Sequence, residues 1–328
     1  MAGEPATPLL AAPGIALKCE HLNPTGSFKD RIAARAFELG GGAGARGWIG
    51  ASSGNAGVAF AAAAARHRLD GVLLTVESIA APQLAHLSAF GPRIYAVAGF
   101  GRDPSVDAAV HARLRAIAVE RRLVLGVTAR TANEAAMEGI GVIADELVRQ
   151  LPRPPGAVYM PTGGGGLVSS LAVAFRRLRA AGAIERLPRL VAVQAEGCRP
   201  ICDAIEAGAD TVRPASTSTT GIAAVSLTRP PDGDLALAAV RESDGFGLAI
   251  GDAEAEEAGA RLAREAGTLV EPAAALAYAA FLRRPLDDAV AILTGSGLKN
   301  LAATAVEPPA KISVEELDRI DDSFRPAR

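Results

Sequence analysis

A chain of 328 residues and 33.4 kDa has room for two packed units of ordinary size and is too long for one small core. With 49% hydrophobic and 21% charged residues it reads as a folded globular protein, and with aromatics at only 4% its core must come from Ala, Val, Leu and Ile. The 34 basic and 36 acidic residues leave a net charge of −2, which argues against an electrostatic binder of nucleic acid or membrane surface.

In chain order, short apolar runs alternate with longer segments of helical period. An apolar strand over 15–20 leads into a helix over 29–39. Strands over 47–51, 71–76, 93–97 and 123–127 then alternate with helices over 55–68, 82–90, 105–121 and 134–150. Strand 157–161 is followed by helix 167–181 and strand 190–194. Helices over 253–266 and 272–282 precede a last strand at 289–293. Continuous apolar strands separated by helices are the mark of a parallel sheet covered on both faces, so the fold class is expected to be α/β. The segment Leu151-Pro152-Arg153-Pro154-Pro155-Gly156 is the best boundary, since its prolines forbid helix and discourage strand. Gly40 to Gly44 reads as a flexible helix-to-strand connection, Thr211 to Gly221 as a loop, and Val314 to Ile320 as a short amphipathic helix on the surface.

The start, Met1 to Pro5, has no basic residue followed by an apolar run, so no secretory signal is expected and the protein is expected in the cytoplasm. The longest small-apolar stretch, Val58 to Ala65, stops at Arg66 and is too short to span a bilayer. Cys19, Cys198 and Cys202 lack paired metal-ligand spacing and are read as reduced, with no metal expected. Lysine is scarce: Lys18, Lys29, Lys299 and Lys311 stand against a background of arginine. A lysine that remains is weighted toward a place that needs an amine.

Four segments carry candidate chemistry. In Asn23-Pro24-Thr25-Gly26-Ser27-Phe28-Lys29-Asp30-Arg31 a turn is followed by Ser27 as N-cap, which puts Lys29 in the first helical turn. The helix dipole disfavours a cation there, which suits an amine that forms a Schiff base; the plain alternative is a solvated lysine paired with Asp30. Ser52-Ser53-Gly54-Asn55-Ala56-Gly57 lies at a strand-to-helix turn whose N–H groups suit a carboxylate or phosphate, or is a simple N-cap. Pro161-Thr162-Gly163-Gly164-Gly165-Gly166-Leu167 opens a helix with glycines close enough to wrap one phosphate. It is neither a P-loop nor a dinucleotide fingerprint. Thr294-Gly295-Ser296-Gly297-Leu298-Lys299-Asn300 leaves room for a flat ring with Thr294 as a neutral hydroxyl. Glu271 stands near a helix start, for the dipole or for the site.

In order and combination these segments resemble the fold type II pyridoxal-phosphate enzymes, and most closely the threonine synthase branch. The resemblance runs from Thr7-Pro8-Leu9 through Leu17-Lys18-Cys19-Glu20 and the Lys29 segment to Thr294–Asn300. It implies two α/β domains meeting at a cleft, a larger one from 1–34 and 149–328 and a smaller one from 35–148. It implies pyridoxal 5′-phosphate on Lys29 beside Phe28, with Asn55 at the cofactor's 3′ oxygen and Gly163, Gly164, Gly165, Gly166 and Leu167 around its phosphate. Thr294 would stand at the pyridine nitrogen, a neutral partner that favours elimination and replacement over transamination. Ser52, Ser53 and Gly54 would lie near the substrate carboxylate. The implied substrate is a small amino acid, O-phosphohomoserine for a threonine synthase, and the implied assembly a homodimer.

The resemblance departs on the substrate side. Ala56-Gly57 after Asn55 looks more like serine/threonine dehydratases, where elimination gives a 2-oxo acid and ammonia. An Asn-Pro-x-Arg stretch that helps bind the substrate phosphate is replaced by Thr128-Ala129-Arg130-Thr131-Ala132-Asn133, leaving Arg130 or Asn133 as substitutes. Ala135-Ala136-Met137-Glu138 replaces a Gly-Gln-Lys-Thr-like segment, and the usual histidine of the last motif is Ser296. Dehydratase, β-replacement and non-catalytic cofactor-binding readings therefore stand beside threonine synthase.

Overall fold

The computed structural model describes residues 5–303. A hairpin of β1 (Leu9–Ala12) and β2 (Ile15–Lys18) leads through the Lys29 turn into α1 (Lys29–Gly42). There follow β3 (Trp48–Ala51), α2 (Asn55–Arg66), β4 (Gly71–Val76), α3 (Ala81–Ser88), β5 (Arg93–Val97), α4 (Pro104–Arg121) and β6 (Val124–Gly126). Helices α5 (Arg130–Met137) and α6 (Gly141–Gln150) then precede β7 (Ala157–Pro161), α7 (Gly166–Ala180) and β8 (Arg189–Ala195). The last stretch holds α8 (Pro200–Glu206), α9 (Gly233–Glu242), β9 (Phe246–Ile250), α10 (Asp252–Ala266), α11 (Pro272–Arg283) and β10 (Ala289–Ile292), closed by a 3₁₀ turn over Gly297–Ala303.

Two sheets organise these elements. One has the order β1-β2-β10-β7-β8-β9, parallel except for the β1–β2 hairpin; the other, β5-β4-β3-β6, is parallel throughout. The chain is α/β. Every residue of β7 and β10 is buried, which is why they read as unbroken apolar runs. One core joins the facing sides of both sheets, from Trp48 and Phe60 through Ile143 and Leu147 to Met160 and Ile292. A second packs α10 and α11 onto the other face of the larger sheet, and a third places Val110 and Leu114 of α4 against Ile49. Among the described residues no helix is long and apolar enough to cross a membrane.

Several expectations need correction. Strands β1 and β9 and helices α8 and α9 carry too little pattern to be read: β1 is four residues long and only partly buried, and β9 contains Gly247. The helix expected over 134–150 is broken. A 3₁₀ turn over Glu138–Ile140 interrupts it, and the helical segment begins earlier, at Arg130, with non-helical angles at Asn133 (φ −152°, ψ 59°). A Cβ at Gly139 would stand 2.2 Å from the carbonyl oxygen of Arg31, so glycine lets this segment pass against α1. Gly40 to Gly42 belong to α1 and are not a loop; a Cβ at Gly40 would stand 2.4 Å from Val124. The helix expected over 314–320 lies outside the described residues.

Below the sheets' junction lies a buried ionic cluster. Lys18, Glu20, Arg31 and Glu146 are each at most 3% exposed. Lys18 Nζ donates to Glu146 Oε2 (2.5 Å), to the Thr7 carbonyl (2.8 Å) and to Gln150 Oε1 (2.8 Å), and Arg31 spans Glu20 and Glu146 at 3.2 and 2.9 Å. Burial holds the Lys18 amine below the usual lysine range, against the pull of Glu146. Breaking a buried pair leaves a charge uncompensated, so Glu146→Gln is expected to lower stability by about 3–5 kcal/mol, read as a fall in urea midpoint at unchanged slope. A loss under about 1 kcal/mol would show that the cluster is not held by charge.

Candidate active site

Ligands of open parallel sheets sit beyond the carboxyl ends of the strands. The segments that follow β2, β3, β6, β7 and β10 all leave by those ends, and they carry Lys29, Ser52 to Asn55, Arg130, the glycine loop and Thr294, while Glu271 comes from the connection between α10 and α11. Because β2 pairs with β10 in parallel, Lys18 opposite Ile292, the Lys29 turn emerges beside the Thr294 segment. The Phe28 N–H donates to the Thr294 carbonyl at 3.1 Å, and Ser27 bridges Gly295.

Lys29 is the first residue of α1. The cap is Phe28, not Ser27: the Asp30 carboxylate reaches back to the Thr25 N–H and hydroxyl, both at 2.8 Å, and holds the turn itself, leaving the Ser27 hydroxyl buried and unpartnered. Lys29 Nζ donates to Thr128 Oγ1 at 3.1 Å and stands 4.7 Å from the Phe28 ring centroid. Burial pushes the amine down to about 8, although the Asp232 and Glu271 carboxylates oppose the shift.

Asn55 opens α2, with Ser52, Ser53 and Gly54 half-buried in the turn before it. The Gly54 N–H donates to Ser52 Oγ at 3.1 Å. Asn55 Nδ2 donates to both carboxylate oxygens of Glu271 at 3.2 Å, and its Oδ1 accepts from Lys299 Nζ at 2.5 Å. Glu271 in turn lies flat on Gly295, where a Cβ would stand 2.1 Å from its Oε1. Thr294, next in chain, is 4% exposed.

The glycine loop is closed around its backbone. A Cβ at Gly163 would stand 2.9 Å from the Ala224 carbonyl oxygen, and one at Gly166 2.6 Å from Met137. Gly165 has φ +88° and would meet the Asp232 carbonyl oxygen at 2.5 Å. Side chains are therefore excluded from the start of α7, whose first N–H groups have no intrahelical acceptors and carry the positive end of a 15-residue helix. Leu167 is buried in that first turn.

Arg130 opens α5, and its backbone N–H donates to Asp232 Oδ2 at 2.7 Å. The guanidinium is 9% exposed: Nη2 pairs with Glu134, and Nη1 is buried without a hydrogen-bond partner. Asn133 spends its amide on the carbonyls of Leu125 and Val127, at 2.9 and 3.2 Å, and has no N–H left for a ligand.

Through shared neighbours these residues form one site. Glu271 joins Lys29, Asn55 and Gly295; Asp232 joins Lys29, the glycine loop and Arg130. Asp232 and Thr128 escaped the motif reading as site residues, and Lys299, marked by the scarcity of lysine and by its place in the last motif, carried no role there. Nothing local marks Asp232, whose carboxylate partners Arg130 and Thr131 lie about a hundred residues away. An amine that loses its proton easily beside a side-chain-free helix start fits a ligand bearing both a carbonyl group and a phosphate.

The family model described as pyridoxal-phosphate dependent enzyme matches residues 2–295. The threonine synthase of Methanocaldococcus jannaschii is 33% identical over 316 residues, covering 91% of this chain and 74% of that protein. That of Synechocystis sp. is 32% identical over 310 residues, covering 90% and 77%. Among solved structures, the threonine deaminase of T.th. superposes with a TM-score of 0.68 at 25% identity, covering 90% of this chain and 89% of that one.

The Lys29 amine should gain reactivity as pH rises through about 8, since only the neutral form attacks. Labelling of ligand-free protein by an acylating reagent, quantified at Lys29 by mass spectrometry across pH 6–11, measures this. A midpoint above 10 would mean that burial does not tune this amine.

Proposed function

The chain belongs to the pyridoxal-phosphate dependent enzymes, and from that premise we propose that it is a threonine synthase-like lyase, converting O-phosphohomoserine to threonine and phosphate. The observation that carries this reading is Arg130. A guanidinium that is 9% exposed, with one buried nitrogen lacking a partner, is suited to an anionic group on the substrate, since a buried donor left unmade costs about 1–3 kcal/mol. The identity to threonine synthases over some nine-tenths of the chain supports the same choice.

In this reading the cofactor, bound through its carbonyl carbon to Lys29, supplies an electron sink that lets a proton leave the carbon beside the substrate's amino group. Gly163, Gly164, Gly165, Gly166 and Leu167 would hold its phosphate, Asn55 would meet its 3′ oxygen, and Thr294 would stand at the ring nitrogen. Once the substrate's amino group has taken its place on the carbonyl carbon, the freed Lys29 amine would move the proton. An amine whose proton burial loosens can take one from carbon and return it, and Thr128 Oγ1 holds Nζ in the ligand-free site. The turn Ser52-Ser53-Gly54 offers its N–H groups to the substrate carboxylate, and Arg130 takes the departing phosphate. Water must be admitted once, to add the hydroxyl of threonine. The cleft lies between a smaller unit over 35–148 and the larger remainder, and the working assembly is a homodimer.

A second reading, elimination from serine or threonine to a 2-oxo acid and ammonia, is favoured by the Ser52-to-Gly57 turn and by the 25% identity to a threonine deaminase. Cofactor-loaded protein given O-phosphohomoserine should release phosphate and threonine in equal amounts. Lys29→Ala should abolish turnover, and Arg130→Gln should raise KM for the phosphorylated substrate about tenfold or more through loss of a charge-assisted contact. No phosphate release, with 2-oxo acid forming from serine or threonine, would move the assignment to the dehydratases.

A further inference from the structure

Lys299 is one of four lysines in a chain that meets most of its need for positive charge with arginine, and its side chain is 18% exposed. Its Nζ donates to Asn55 Oδ1 at 2.5 Å and to the Gly26 carbonyl at 3.0 Å, and stands 3.5 Å from Glu271 Oε2. Two of its three N–H donors are thus spent on Asn55 and Gly26, and its charge is balanced by the Glu271 carboxylate, so the groups it acts on most directly are those it touches.

The most consequential of those is the Asn55 amide, whose two ends have nearly the same shape and opposite hydrogen-bonding character. The ammonium can donate only to Oδ1, and the Glu271 carboxylate can accept only from Nδ2. Turning the amide over would cost both charge-assisted contacts at once. The two Glu271 oxygens lie at the same 3.2 Å from Nδ2, as when one N–H is shared between them, and the second N–H is left for an oxygen in the cleft. Glycine at 26 and 295 makes the arrangement possible. Gly26 has φ +79°, which presents its carbonyl to Lys299 in a conformation that favours glycine, and a Cβ at Gly295 would displace Glu271 altogether.

We propose that Lys299, with Glu271, is a positioning residue that fixes Asn55 with its N–H, rather than its carbonyl, toward the cofactor's 3′ oxygen. This rests on the placement of Asn55 given under Proposed function, but not on which substrate is used. The test is binding to cofactor-free protein of pyridoxal phosphate and of 3-deoxypyridoxal phosphate, which lacks that oxygen, followed by absorbance titration. The unaltered protein should prefer pyridoxal phosphate by about tenfold, the worth of one hydrogen bond to a charged partner. Lys299→Met should bring that preference close to one while leaving affinity for the deoxy analogue within about twofold. Lys299→Met combined with Glu271→Gln, which leaves no carboxylate charge unpaired, should behave the same way and serves if the single variant folds poorly. Equal weakening toward both compounds, or an unchanged preference, would overturn the proposal. Asn55→Ala separates the two levels. If it too keeps the preference, the placement of Asn55 falls as well; if it loses the preference while the Lys299 variants keep it, only the role of Lys299 fails.

Discussion

Parallel pairing of β2 with β10 is the constraint on which the rest of the site depends. Parallel neighbours leave a sheet by the same edge, so a turn near the start of the chain and a segment some 270 residues later emerge side by side. The Phe28-to-Thr294 hydrogen bond then fixes how they lie. From that edge the chain carries Lys29 toward Thr128, which arrives from the other sheet at the end of β6. The two sheets can meet there because they share one apolar core, in which α1, α6 and α7 are packed between them.

Charge is handled differently in the two polar regions. Beneath the site, Lys18, Glu20, Arg31 and Glu146 satisfy one another completely enough to be sealed from water. Within the site the balance is left incomplete. Among the described residues Lys29 has only a hydroxyl as its hydrogen-bond partner, Arg130 keeps a spare nitrogen, and the loop that opens α7 has glycines in place of side chains. A folded protein tolerates such gaps where a ligand can fill them. The carboxylates that could have neutralised the amine, Asp232 and Glu271, are engaged elsewhere, Asp232 on the N–H groups of Arg130 and Thr131 and Glu271 on Asn55 and Lys299.

What could be read from the residues alone follows from how locally each feature is encoded. β7, β8 and β10 are buried on both faces and so spell themselves as apolar runs. The Lys29 turn, the Ser52 turn and the four glycines are short-range chemistry of turns and helix starts, and their positions beyond strand ends were legible for the same reason. The N-cap at Phe28 was not, because it depends on Asp30 folding back onto Thr25. The break in the helix expected over 134–150 comes from the approach of α1, a contact with no local signature. The contacts of Asp232 with Thr131 and Arg130, and of Asn55 with Glu271 and Lys299, bring together residues separated by 101 to 244 positions, and proximity of that kind belongs to topology rather than to pattern.

The place of β10 in its sheet also orders events during synthesis. This strand is nearly the last of the described elements, yet it sits between β2 and β7. Until residues 289–292 have left the ribosome, the N-terminal hairpin has no parallel neighbour and β7 shows an open, wholly apolar edge. A nascent chain therefore cannot shape its binding cleft progressively. Long-range closure of this kind is slow, and the unfilled slot is the point at which an arrested or truncated chain would be captured by another strand.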